Sequence, residues 1–204
     1  MSESRLKTYA LTAGGVTALA AGTASGDVIH TSTNVTLNAG ERWTFTMLDA
    51  TLSFSNTFGS SIAELNIKPG ASAQVAGTSF ASKLSEGEAI SGNLSFATYN
   101  NLIMASTKSG SFHFGNWDAL DGDDRGFLGI EIGTGGDVNY GWIDVTWTGS
   151  QAIIHGYAWE SDTNTAINAG QTTSGAAVVP GAPTAVGLIG LAAGAAGIRR
   201  RRSA

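Results

Sequence analysis

The run from residue 126 to residue 160, GFLGIEIGTGGDVNYGWIDVTWTGSQAIIHGYAWE, constrains the fold more than any other part of the chain. Apolar side chains fall at every second position. Leu128, Ile130 and Ile132 share one face of the first run. In the next, Ile143, Val145 and Trp147 share a face, while Tyr140, Trp142 and Asp144 take the other. Period-two alternation bounded by glycine-rich turns is the signature of strands, because successive side chains point to opposite sides of an extended chain. Gly133-Thr134-Gly135-Gly136-Asp137 and Thr148-Gly149-Ser150 then make two consecutive hairpins.

The same pattern recurs upstream in RWTFTML (42 to 48), TLSFSNTF (51 to 58), IAELNIK (62 to 68), ISGNLSFATY (90 to 99), LIMAST (102 to 107) and SFHFG (111 to 115). Only Ser79 to Glu88 reads as a place for a helical turn. Nine or so strands with a turn every eight to twelve residues predict an all-β domain over 25–175. The expected architecture is a single antiparallel β-sandwich, jelly-roll-like, with a half-open barrel as the alternative. The 28 glycines and the low charged fraction of 13% agree with a turn-rich β protein.

The ends differ from this body. Arg5 and Lys7 precede an uncharged stretch from Thr8 to Ala24, and Gly22-Thr23-Ala24 is a small-x-small site. Together these predict a secretory signal peptide over 1–24. The alternative, a short buried helix, fits poorly with so much alanine, glycine and threonine. The segment 176–204 has a proline hinge (179–183), a fifteen-residue uncharged span (184–198) and the cluster Arg199, Arg200, Arg201 and Arg202. As a helix the span reaches about 22 Å, short of the roughly 30 Å hydrocarbon core. The arginines would stay on the cytoplasmic side.

Hinge, brief apolar span and arginine cluster together resemble the PEP-CTERM class of bacterial C-terminal sorting signals. Where that family usually has Val-Pro-Glu-Pro, this chain has Val179-Pro180-Gly181-Ala182-Pro183, without the glutamate. The loose pattern of YGWIDVTW followed by GYAWE also resembles the C-terminal half of exported members of unassigned activity. The resemblance implies an exosortase-type membrane protease as partner. It also implies a protein held briefly at the inner membrane by its C-terminal helix and then passed to the cell surface or matrix. Val179, Pro180, Pro183 and the four arginines carry that sorting motif.

Charge narrows the function classes. Residues 26 to 178 hold five basic residues, Arg42, Lys68, Lys83, Lys108 and Arg125, against fifteen Asp and Glu, a net charge near −10. Such a body repels phosphate backbones, so nucleic acid is not an expected partner. The absence of cysteine removes disulfides and thiolate chemistry. His30, His113 and His155 are widely spaced and match no zinc motif. Asp118, Asp121, Asp123 and Asp124 supply hard oxygen ligands suited to calcium, although their spacing is not that of an EF-hand. They read either as a calcium loop or as a solvated acidic loop; no other cofactor is indicated.

Trp117, Tyr140, Trp142, Tyr157 and Trp159 are candidate ligand-facing aromatics, set to stack on sugar rings wherever they share an outward face. His155 has the parity of Tyr157 and Trp159 and would share their groove. Core packing is the competing role for at least three of the five aromatics. The leading expectation is an exported surface or matrix protein with a non-enzymatic structural or polysaccharide-binding role. One alternative is a secreted carbohydrate-active enzyme with paired carboxylates among Glu131, Asp144 and Glu160. Another is a self-assembling β protein with open sheet edges.

Overall fold

The computed structural model describes residues 26–59, 62–98, 101–108, 112–118 and 123–174. The expected signal peptide (1–24), the residues of the expected sorting motif and Asp121 lie outside the described residues. No helix among the described residues is long and apolar enough to cross a membrane.

The described chain is all-β and its sheets are antiparallel. Strands β1 (Val28–Leu37), β2 (Arg42–Met47), β3 (Ala50–Gly59), β4 (Ile62–Pro69) and β5 (Ala73–Ala76) are followed by two very short ones, β6 (Ala89–Ile90) and β7 (Phe96–Ala97). Then come β8 (Leu102–Lys108), β9 (Phe112–Gly115), β10 (Asp124–Thr134), β11 (Asp137–Trp147), β12 (Ala152–Glu160) and β13 (Ile167–Asn168). A six-stranded sheet has the order β1-β12-β11-β10-β5-β7, a five-stranded sheet the order β2-β3-β4-β8-β9, and β13 pairs with β6. Sequence neighbours pair throughout β10–β11–β12 and β2–β3–β4. Meanders thus build part of each sheet, and the pairings β1–β12, β10–β5, β5–β7 and β4–β8 join strands that are not consecutive in the chain.

The β10–β11 hairpin forms as its sequence dictates. Thr134 pairs with Asp137 across a two-residue turn in which Gly135 (φ 78°) and Gly136 (φ 107°) are both left-handed. That turn type matches strand twist and requires positive φ at both central positions. The stretch 90–99, expected as one strand, is instead interrupted by a turn in which the Leu94 N–H donates to the Ser91 carbonyl. Only β6 and β7 remain extended on either side.

The expected helical turn at Ser79 to Glu88 is absent. Bridges Gly77 to Ala81, Phe80 to Ile103 and Leu84 to Phe127 tie this stretch to strands. Its backbone groups find partners across the sheet, so they need no helical ladder.

Burial separates two apolar layers. Leu128, Ile130, Ile143, Val145, Trp147 and Ile154 from the six-stranded sheet join Leu52, Phe54, Leu65, Ile67 and Met104 from the five-stranded sheet in one core. The five-stranded sheet leaves polar residues such as Thr44, Thr46 and Lys68 exposed on its other face. The six-stranded sheet is covered on both sides. Its second face carries Tyr140, Trp142 and Ala158 beneath Leu84, Ile90, Ile167 and Ala169. Strand β11 accordingly is buried at every position from Tyr140 to Trp147.

Asn56 joins the two large sheets. It is 1% exposed on β3, and its Nδ2 donates to the carbonyls of Leu37 (3.0 Å) and Ser150 (2.8 Å), at the end of β1 and in the β11–β12 turn. Removing it strands two acceptors in a low-dielectric interior. Asn56→Ala is expected to lower the unfolding free energy by about 1–3 kcal/mol, read from urea melts. A loss below roughly 0.5 kcal/mol, the range of an ordinary surface substitution, would show that this bridge does not hold the sheets.

Candidate functional site

The five candidate aromatics separate by burial. Trp117 (2% exposed), Tyr140 (6%) and Trp142 (2%) are buried, which corrects the expectation that they face a ligand. Trp117 belongs to the core between the large sheets, and Tyr140 and Trp142 to the layer on the second face. Both faces of β11 are covered, so the outward parity of Tyr140 and Trp142 leads under the 84–97 and 167–171 segments and away from water.

Tyr157 and Trp159 remain half-buried, and the structure brings them together with two residues of β2. Trp43 and Phe45 stack with ring centres 4.3 Å apart and planes 13° apart. Phe45 lies 4.8 Å from Tyr157, and Tyr157 stacks on Trp159 at 6.2 Å and 16°. Four half-buried rings thus form a continuous strip between β2 and β12. Ile29, 42% exposed, is the register partner of Trp159, and Thr31 that of Tyr157. β1 and β2 are edge strands of their sheets, so no further strand among the described residues covers this side. The strip contains no charged side chain. The Trp159 indole N–H is buried without a hydrogen-bond partner among the described residues.

Trp43 and Phe45 show the alternation of any half-buried strand, so nothing in RWTFTM alone marks them as a surface. Their position on an edge strand gives them that character. His155 departs from its expected place beside Tyr157 and Trp159. A bulge between Asp144 and Val145 shifts the β11–β12 register, and Thr146 Oγ1 lies 2.9 Å from His155 Nε2. The extra residue flips the parity of β12. His155 therefore faces the second side of the sheet with Thr146, while Tyr157 and Trp159 pack on the core side.

A cleft of about 600 Å³ opens on that second side, lined among others by His30, Glu86, Arg125, Phe127, Trp142 and Asp144. Arg125 Nε donates to Asp144 Oδ1 at 2.9 Å and Nη2 to Oδ2 at 2.6 Å. This two-point hydrogen bond, with the charge of Asp144, outweighs desolvation and raises the Arg125 pKa further. Phe127 meets Trp142 edge to face at 5.4 Å, and the His30 ring lies 5.7 Å from Trp142. The Trp142 Nε1–H donates to the Gln171 carbonyl at 3.0 Å, tying the rim to the floor. His30, Phe127 and Arg125 escaped sequence reasoning because a bridge from a distant segment and a third strand assemble them.

The carboxylates proposed for catalysis lie apart. Glu131 on β10 and Glu160 on β12 are separated by β11, so their backbones are about 9–10 Å apart. Tyr140 is the register partner of Glu131, and neither glutamate lines the cleft. Glu160 is buried and its Oε1 accepts the Asp162 N–H, while Asp144 is engaged by Arg125.

In the acidic loop, Asp124 accepts from Lys83 Nζ (2.5 Å) and from the Asp118 N–H (2.6 Å). Asp123 is exposed. Among the described residues no group of three or more His, Asp or Glu is arranged to hold a metal ion.

Glu131 gives the clearest pH signature. Burial raises its pKa above the ordinary 4.5, and Gln74 Nε2 donates to its Oε1 at 3.1 Å. The folded carboxyl then binds its proton more tightly than the unfolded one. Stability falls as pH rises from the ordinary value through the raised one, and the deficit persists at neutral pH. Glu131→Gln keeps an acceptor for Gln74 and removes the charge. The variant should melt above the wild type at neutral pH, with the gap closing in acid. Equal melting gaps at all pH values, or a less stable variant at neutral pH, would refute this.

Compared with known proteins, the chain matches no family model, no curated protein and no solved structure.

Proposed function

We propose that this is an exported protein of the bacterial cell surface or extracellular matrix whose role is to bind polysaccharide, and that its two large sheets are the halves of a β-sandwich. The aromatic strip Trp43, Phe45, Tyr157 and Trp159 carries the binding part of this reading. Trp43 stacks on Phe45 at 4.3 Å, Phe45 is tilted 37° to Tyr157 at 4.8 Å, and Tyr157 stacks on Trp159 at 6.2 Å, so the ring surface they leave uncovered forms a continuous apolar strip for a sugar chain to pack on. An uncharged strip on a body of net charge near −10 favours a neutral glycan over an acidic one.

Two observations weigh against the alternatives. Neither Glu131 nor Glu160 lines the cleft, and Asp144, which lines it with Glu86, is held by Arg125 through both carboxylate oxygens, which weighs against a free pair of catalytic carboxylates there. Self-assembly through β1 is hindered by its bulge between Ser32 and Val35, with Asn34 at φ 58°, which breaks the flat edge that a second strand needs.

Export rests on the two ends of the chain. The segment 1–24 acts as signal peptide, and the 176–204 tail holds the protein at the inner membrane until an exosortase-type protease removes it. Intact-mass measurement of the protein released by its native host should show both ends missing. Replacing Arg199 to Arg202 with serine should leave the tail attached and the protein in the membrane fraction. Release of a full-length chain would contradict the sorting role.

The binding role is tested by electrophoresis through gels containing a soluble linear neutral polysaccharide such as hydroxyethylcellulose. Wild type should be retarded. Trp43→Thr and Tyr157→Thr, each checked for folding by circular dichroism, should weaken binding by about tenfold, since each lost stacking ring is worth about 1 kcal/mol or more. Phe114→Ser, at a residue 48% exposed elsewhere on the surface, serves as control. Folded strip variants with unchanged retardation would overturn the reading.

A further inference from the structure

We propose that the cleft on the second face of the six-stranded sheet is a separate site for a single neutral sugar unit or glycan chain end, so that one molecule bridges two glycan strands. This rests on the polysaccharide-binding reading above and adds a second contact to it. The cleft's size, about 600 Å³, falls in the range of small-ligand sites.

Its polar groups fit a neutral ligand rich in hydroxyls. The Arg125 side chain is 60% exposed, yet two of its five N–H donors are fixed on Asp144, whose side chain is 10% exposed. The guanidinium is thereby held in one orientation with its remaining donors open to the cleft. Glu86 lines the same cleft, and its charge also favours protonated Arg125. Donors and acceptors are therefore both presented. With Arg125 paired to Asp144 and Lys83 to Asp124, neither sign of charge dominates. The open donors of Arg125 and the acceptor oxygens of Glu86 suit a hydroxyl, which both donates and accepts. Phe127, half-buried on the floor, supplies an apolar face.

Position makes the second site distinct from the first. Trp159 and Tyr157 pack on the core between the large sheets, whereas Trp142 and Phe127 belong to the layer on the other face. Side chains on opposite faces of one sheet point away from each other. A strand lying along the strip therefore cannot also place its neighbouring unit in the cleft.

The test uses the full-length ¹⁵N-labelled protein titrated with cellobiose, maltose and laminaribiose. At least one disaccharide should produce saturable shifts of the Trp142 indole N–H and of the Gly126 and Gly170 amides. Arg125→Lys and Glu86→Gln should weaken that binding by about tenfold, the size of a hydrogen bond to a charged group. Tyr157→Thr should leave these shifts intact. Wild type should also raise the light scattering of hydroxyethylcellulose, and each single-site variant should not.

Silent cleft signals with all three sugars, while the polysaccharide still retards the protein, would overturn this inference and spare the strip. Cleft shifts with undiminished retardation of the strip variants would instead refute the strip.

Discussion

Strand β11 is buried on both faces, and that condition organises the rest of the molecule. Eight consecutive residues from Tyr140 to Trp147 are out of water. An antiparallel sheet ordinarily needs only one covered face. Here Ile143, Val145 and Trp147 require the five-stranded sheet on one side, and Tyr140 and Trp142 require a second cover on the other. Each large side chain left uncovered would forfeit about 2–3 kcal/mol. The segment from Leu84 to Phe96 and the short pair β6–β13 supply that second cover. They bridge onto Phe127 through Leu84 without forming a full layer, and the incomplete cover is what leaves a cleft.

A one-residue irregularity then decides what each side can present. The bulge opposite Asp144 and Val145 places His155 with Thr146 on one face and returns Tyr157 and Trp159 to the other. Without it, His155 would share a face with Tyr157 and Trp159, because the three fall at every second position of β12. A register device of this kind costs a ladder hydrogen bond, but it lets one strand serve two differently composed surfaces.

Much of the fold was legible in the sequence because the side-chain period was strong. FLGIEI and YGWIDVTW gave strands, the face of each residue and the hairpin between them. RWTFTM and TLSFSN did the same for β2 and β3. VIHTSTNVTL hides its strand because Thr31 and Thr33 separate Ile29 from Val35 and Leu37 on the inward face, so no continuous apolar alternation is left. AQVA was too short to register. ISGNLSFATY alternates plausibly, yet the Ser91–Leu94 turn breaks it. For the sites, alternation identified Tyr157 and Trp159 as a pair but could not say which face of β11 would be covered. Trp142 was thus misplaced outward. The bulge left no mark in the sequence, so neither did the separation of His155 from the aromatics.

Half-buried aromatic rings on an open sheet edge are a liability unless something fixes them, since apolar surface at an edge invites non-specific association. In this strip each ring is fixed by its neighbour. Phe45 stacks on Trp43 and meets Tyr157, and Phe54, fully buried, lies beneath both Trp43 and Phe45 at 6.4 Å. The side chains have therefore already lost their rotamer freedom in the folded protein. A ligand need not order them again, which saves about 0.5–1.5 kcal/mol for each side chain that would otherwise be immobilised on binding. Weak individual stacking contacts can then sum along a repeating chain. The same rigidity would suit the flat, regular polymer proposed as ligand at this edge.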